Sequence, residues 1–287
     1  MSLVAAKAPY VLEILYDDMA ESPREDHDNF GTMVCWHSRY ALGDKHDYDD
    51  PDEFMQELVQ KTVPAKEIVA FVKSGSAEDV RLAYDRSVHG WTAESYDRQF
   101  KKWFNEITFE GKLQDGISEI SEAIIPVLSR TDLHALAGRK NCIMPLYLYD
   151  HSMISMSTST FIGRAQHAEW DSGQVGWIYA GHDRVQEEYG AVTPETVEKA
   201  QNFLRGEVEE YDCYLTNQCY GFRLYQDGAE TDSCWGFLGY ISDVKEAIAS
   251  HLPEGYRDMV DNMTDLFDKN IEDYLEENET EEMEKVL

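Results

Sequence analysis

Any compact state of this chain must hold a large excess of like charge apart. It carries 56 aspartates and glutamates against 25 lysines and arginines, a formal net charge of −31 on 287 residues. Self-repulsion on that scale opposes compaction, and the same field selects partners. Phosphate backbones and anionic membranes are repelled, whereas basic clefts are attracted. Acidic disordered chains share this charge but not the composition. Hydrophobic residues make up 43% and aromatic residues 12%, with 17 Tyr and 6 Trp, and chains too polar to collapse are poor in aromatics. The chain can therefore bury a sizeable core, and its length suits two domains or one elaborate one. No run of eighteen apolar residues is present to span a membrane. Met1–Tyr10 lacks the charged and apolar regions of a signal peptide. The expectation is a soluble cytoplasmic protein whose five cysteines, Cys35, Cys142, Cys213, Cys219 and Cys234, are reduced.

The acid is clustered. One group is Asp17, Asp18, Glu21, Glu25, Asp26 and Asp28, relieved by Arg24. A second is Asp44, Asp47, Asp49, Asp50, Asp52, Glu53 and Glu57, relieved by Lys45. The third runs from Glu254 to the end, with 13 acids against Arg257, Lys269 and Lys285. Arg81 to Lys102 is close to neutral. In the third cluster Tyr256, Val260, Met263, Phe267, Ile271 and Tyr274 recur at nearly helical spacing. Asp258, Asp261, Asp265, Asp268 and Glu272 follow the same rhythm on another face. This predicts an amphipathic helix with one acidic side, either solvated on its own domain or binding a partner or a second copy. Those five acids are the candidate partner-binding residues. Beyond Glu276 the pattern is lost and fraying is expected.

The remaining periodicities predict an α+β fold in three stretches: a mixed N-terminal part over 1–140, a mainly antiparallel sheet with inserted helices over 141–251, and an acidic helical extension over 252–287. Strands are expected at Val11–Tyr16, Gly31–Tyr40, Ile68–Lys73, Ile143–Tyr149 and Gln174–Ala180, and a strand or loop at Ile154–Thr160. Gly221–Tyr225 and Ser233–Leu238 flank a hairpin turn at Gln226–Asp227–Gly228. Helices are expected from Pro51, at Ser76–Val88, Ala93–Ile107 and Leu113–Leu128, at Pro194–Tyr211 behind the cap Thr193, and at Asp243–His251 behind Ser242. In Ala93–Ile107 the stripe would be Tyr96, Phe100, Trp103 and Phe104.

Signatures of chemistry are sparse. Asp150–His151–Ser152 contains triad residue types, but consecutive residues rarely aim at one point, so a polar turn is the simpler reading. A hydrolase would use His151 with Asp150 or Asp171. Asp171–Ser172–Gly173–Gln174 reads as a tight turn pinned by Trp170 and Trp177, or as a pocket anchored by Asp171 and Gln174. Cys35 and His37 share a face if the strand runs through both, and His46 or Cys142 could complete a metal site; a core thiol beside a satisfied imidazole is the expectation. A disulfide among Cys213, Cys219 and Cys234 is not predicted. There is no Walker A loop, Gly-x-Gly-x-x-Gly or HExxH motif, and basic patches with interleaved aromatics are read as absent. No cofactor, metal, nucleic acid or membrane is expected as a direct partner.

Four stretches carry a family resemblance: FGTMVCWHSRYALGDKH (Phe30–His46), MPLYLYDHSMISMST (Met144–Thr158), WDSGQVGWIYA (Trp170–Ala180) and DSCWGFLG (Asp232–Gly239). Together they resemble the phage anti-Gabija family, acidic inhibitors of a bacterial defence complex that cuts DNA. The resemblance spans about residues 30 to 240. It implies a non-enzymatic, stoichiometric inhibitor in the host cytoplasm, assembling as a homo-oligomer around a nuclease–helicase complex and blocking DNA binding and cleavage. It assigns no contact residues. A DNA-mimic inhibitor of another nuclease or restriction system, the hydrolase above and a halophilic acidic protein are the alternatives.

Overall fold

The computed structural model describes residues 2–26, 28–266 and 270–276. In chain order the elements are β1 (Ser2–Lys7), β2 (Tyr10–Tyr16), α1 (Pro23–Asp26), β3 (Thr32–Cys35), α2 (Pro51–Thr62), α3 (Ala65–Lys73), β4 (Val80–Asp85), β5 (Gly90–Asp97) and β6 (Lys102–Glu110). There follow α4 (Ile117–Ile124), α5 (Arg130–Ala137), β7 (Asn141–Asp150), β8 (Ile154–Ser157), α6 (Ala168–Asp171), β9 (Ser172–Gly181), α7 (His182–Tyr189) and α8 (Pro194–Leu215). The last are β10 (Cys219–Gln226), β11 (Ala229–Leu238), α9 (Ile241–Ala249) and β12 (Thr264–Asp265). Helices and antiparallel sheets together make the fold α+β. Among the described residues no helix is long and apolar enough to cross a membrane.

Two compact units interleave along the sequence. One comprises Met1–Asn29, Tyr147–Gln174 and Arg205–Leu287; the other comprises Phe30–Leu146 and Val175–Leu204. They are cut differently from the stretches 1–140, 141–251 and 252–287, because strands from both ends of the chain share one sheet.

That sheet belongs to the first unit and has the order β11-β10-β2-β1-β12. The β10–β11 hairpin turns through Asp227 and Gly228 at φ 50° and 76°, the left-handed pair that suits strand twist and that few residues other than Asn, Asp and Gly accept. Leu12, Ile14, Phe222 and Leu224 meet Val244 and Ile248 of α9 in its core. Each such side chain contributes about 1.5–3 kcal/mol when fully buried. Buried Glu13 accepts from Ser2 Oγ at 2.8 Å and from the Tyr225 hydroxyl at 3.2 Å. Buried Arg24 pairs with buried Glu207 at 3.3 Å.

The C-terminal run corrects the sequence expectation. Arg257–Asn262 forms a 3₁₀ turn, Met263 is extended, and Thr264–Asp265 pairs antiparallel with β1 through Val4↔Thr264 and Leu3↔Asp265. Only residues 271–276 are helical among those described. Tyr256, Met259, Val260 and Met263 all pack on the core of this unit. Their spacing of about three residues serves a 3₁₀ turn followed by an extended edge as well as it serves an α-helix. Phe267 and Asp268 lie outside the described residues.

In the second unit, α2 forms where its caps predict. Asp50 accepts from the N–H groups of Asp52 and Glu53 at 2.8 and 2.9 Å, and Pro51 opens the first turn. Phe54, Met55, Leu58 and Val59 are its buried face. Three expectations fail here. Ile68–Lys73 belongs to helix α3, whose Ile68, Val69, Phe71 and Val72 are buried. Ser76–Val88 and Ala93–Ile107 are not helices; they contribute to the antiparallel meander β4-β5-β6. Leu82, Ala93 and Ile107 stand side by side across it, on the face that meets the helices. Gly90 lets β6 pass: a Cβ there would lie 2.0 Å from the Phe109 carbonyl oxygen. The expected strand Gly31–Tyr40 is only Thr32–Cys35, with Met33, Val34 and Cys35 all buried. Helix α9 starts at Ile241, before Ser242. Strand β1 and helices α5 and α7 carry no expectation from the sequence.

Candidate functional site

The second acidic cluster folds around a cleft in the second unit. After β3 the chain loops back to Gly43, at φ 69°. A Cβ there would lie 2.6 Å from the Met33 carbonyl oxygen, so this return requires glycine. Asp44 fixes it from both sides: its N–H donates to the Met33 carbonyl at 2.8 Å, and its carboxylate accepts from the Met33 N–H at 2.8 Å. The loop then delivers Lys45, His46, Asp47 and Tyr48. Helix α2 adds Glu53 and Glu57, four residues apart on one face. Thr32, Val34 and Tyr179 of the β3–β9 pair complete a cleft of about 440 Å³.

Its electrostatics follow from these neighbours. The Tyr48 hydroxyl donates to Glu57 Oε1 at 2.9 Å. Burial first, and the Glu57 carboxylate second, push the Tyr48 phenol up to about 12. Lys61 first, then the Tyr48 hydroxyl, hold the Glu57 carboxyl below its ordinary range. Burial raises the Tyr179 phenol. The Glu53 carboxylate accepts from the Asp49 N–H at 2.6 Å. His46 Nε2 donates to the Cys35 carbonyl at 2.9 Å, and its Nδ1 is buried without a hydrogen-bond partner among the described residues. Trp36 lies 4.9 Å from the His46 ring and donates to the Tyr48 carbonyl at 3.2 Å. Four carboxylates opposed by Lys45 and, at Glu57, by Lys61, with aromatic rings beside them, suit an ammonium or guanidinium group.

The metal possibility separates on inspection. β3 ends at Cys35, and His37 stacks on Tyr40 at 4.9 Å and 9° instead of sharing a strand face with it. Among the described residues no group of three or more ligating side chains converges. All five cysteines are free thiols.

One expected pair does meet, in the first unit. His151 Nδ1 lies 2.9 Å from Asp171 Oδ2, with side chains 47% and 30% exposed. Tyr149 stacks beside His151 at 6.0 Å, and His167 is 6.1 Å away. The turn pinned by two tryptophans does not form. Asp171 ends α6, Ser172 begins β9, Trp170 is 88% exposed, and Trp177 is buried in the core of the second unit. Gln174 is exposed on β9. Of the C-terminal acids, Asp258 pairs with Lys7 at 2.6 Å, while Asp261, Asp265 and Glu272 are exposed.

Sequence reasoning missed one surface. The loop between β5 and β6, with Phe100 and Lys101, and the start of β6, with Lys102, Trp103 and Phe104, put basic and aromatic residues at one end of the meander. The string RQFKKWF was the available signal. Comparison with protein-family models, curated proteins and solved structures gave no match.

Proposed function

We propose that this protein is a phage-encoded, non-enzymatic inhibitor of a bacterial defence nuclease, acting in the host cytoplasm as a homo-oligomer. A Gabija-type nuclease–helicase is the target that the sequence resemblance favours. The observation that carries the reading is exposed acid on a chain of net charge −31, including Asp261, Asp265 and Glu272 of the C-terminal run. Such a surface attracts the basic faces that nucleases present to DNA. Charge speeds the encounter and excludes wrong partners, while aromatic side chains hold the complex. The test is co-purification with the nuclease–helicase complex, followed by DNA cleavage at increasing inhibitor ratio and salt. Inhibition that saturates at a fixed ratio and weakens with salt is expected. No binding at low salt, with cleavage unimpaired, rules the reading out.

The His151–Asp171 contact favours a second reading, a hydrolase in which Asp171 orients the imidazole as a base. Replacing His151 by Ala would then abolish the biological effect while leaving fold and assembly intact. Full inhibition by H151A eliminates this alternative.

A further inference from the structure

The exposed end of the meander is the least expected surface on so acidic a chain. Phe100 is 64% exposed, Phe104 46% and Trp103 38%. Phe100 and Phe104 stand edge to face at 6.4 Å, while Trp103 lies against Tyr96 on the other face of β6, and exposed large aromatics that stand together mark contact sites far more often than single ones do. The loop that presents them is well defined. The Asp97 carboxylate accepts from the N–H groups of Gln99 and Phe100 at 2.8 and 2.9 Å. Lys101 takes the left-handed conformation, φ 52°. At the base of the loop Arg98 pairs with Asp79 at 2.6 Å and with Glu78 at 3.3 Å. Arg81 lies 4.0 Å over the Trp103 ring and pairs with Glu94 at 2.7 Å. Lys101 and Lys102 are exposed and make no ion pair among the described residues.

Two lysines without an ion pair, beside the Phe100–Phe104 ring pair, call for an acidic, aromatic-lined counterpart. The same unit carries one, the cleft of Asp44, Asp47, Glu53 and Glu57 with Tyr48 and Tyr179. A basic, DNA-facing surface would repel the tip, and the −31 chain opposes a nucleic-acid or anionic-membrane occupant for it. We propose that the β5–β6 loop is a self-docking arm, whose Lys101, Lys102 and aromatic rings seat on the acidic cleft of a second copy of this chain. The inference rests on the self-assembly part of the function proposed above and names its two surfaces. Arm and cleft are different patches, so each copy offers one of each. Two copies can exchange arms, or further copies can add in a ring.

The experiment is the solution mass of the purified full chain, by light scattering after gel filtration, at low and high salt. The wild type is expected at a multiple of 33.0 kDa. K101E/K102E reverses the arm and D47K reverses part of the cleft, at Asp47, an exposed residue that makes no ion pair among the described residues. Each variant alone is expected to run as a monomer, with wild-type circular dichroism. Mixed, the two are expected to recover a dimer, because the unaltered arm of the D47K copy meets the unaltered cleft of the K101E/K102E copy. F100A/F104A, which removes rings and no charge, is expected to run as a monomer at every salt concentration. A monomeric wild type ends the self-assembly reading itself. A wild-type oligomer that K101E/K102E leaves intact overturns only the docking arm. Monomers that fail to recover on mixing overturn the cleft as its receptor.

Discussion

In the first unit two buried carboxylates are used by the fold itself, as Asp132 is in the second, whereas four others of the second unit gather round an opening. Glu207 meets Arg24, with side chains only 6% and 1% exposed, and Glu13 is held by Ser2 and Tyr225. Around the cleft, Asp44, Asp47, Glu53 and Glu57 face a space of about 440 Å³. The difference teaches that the −31 charge is two populations. One is paired, buried and structural; the other is held at a surface by Gly43, Asp50 and the loop between them. Self-repulsion falls on the second population, where a basic partner would relieve it.

The sharpest way to break the comparison is to remove one charge from each population. Glu207→Ala leaves the Arg24 guanidinium buried without this carboxylate, and a loss of about 3–5 kcal/mol is expected. Asp47→Asn removes an exposed charge, and a change within about 0.5 kcal/mol is expected. Urea unfolding of both variants measures the contrast. Replacing the buried pair together, Arg24→Met with Glu207→Leu, should recover most of the loss, because apolar side chains of similar size need no counter-charge. If E207A and D47N cost the same, burial does not divide the carboxylates.

A smaller effect lies in the phenols, where the two units behave alike. Burial pushes Tyr48 of the second unit and Tyr220 of the first up to about 12 from 10.0. A folded-state value above the unfolded one means that the folded protein keeps a proton the unfolded chain gives up. The stability each phenol contributes is therefore full below pH 10 and is lost as pH rises towards 12. Tyr48→Phe should flatten the alkaline decline and remove one late step from the tyrosinate absorbance titration. Loss of an ordinary step near 10.0 in Y48F, with the late steps kept, would show that burial and Glu57 do not shield this phenol.

Much of this was legible in the sequence, for reasons that separate local from distant signals. Asp50–Pro51 and Thr193–Pro194 announce α2 and α8 because caps act within one turn. Asp227–Gly228 announces its hairpin because its backbone conformation admits few residue types. The meander was hidden by spacing. Tyr96, Phe100, Trp103 and Phe104 fall at helical intervals, but a hairpin brings the same residues to one end of a sheet. The C-terminal run misled similarly, since contacts three residues apart serve a 3₁₀ turn too. Within the candidate cleft the acid cluster was visible. Tyr179 was not, because it reaches Thr32 only through the β3–β9 pairing across more than a hundred residues. His151 and Asp171 are twenty residues apart and could be named beforehand as a possible pair, though not their 2.9 Å contact.

The smallest expected effect asks whether charge or packing holds the acidic C-terminal run. Asp258 meets Lys7 at 2.6 Å, but both side chains are about half exposed, at 57% and 43%. Lys7 holds the Asp258 carboxyl below its ordinary range. The pair's stabilisation is thus present above that range and is lost as pH falls through the lowered value. Exposed pairs are screened by salt and contribute little. The run also has Met259 and Val260 in the core, and a backbone bond from the Leu266 N–H to the Ser2 carbonyl at 2.9 Å. Lys7→Gln should therefore shift the thermal midpoint only slightly at low salt and not at all at high salt. A large shift that persists in high salt would mean that Lys7 anchors the C-terminal edge. The third acidic cluster would then join the structural carboxylates of the first unit, leaving the cleft as the chief reserve of charge for a partner.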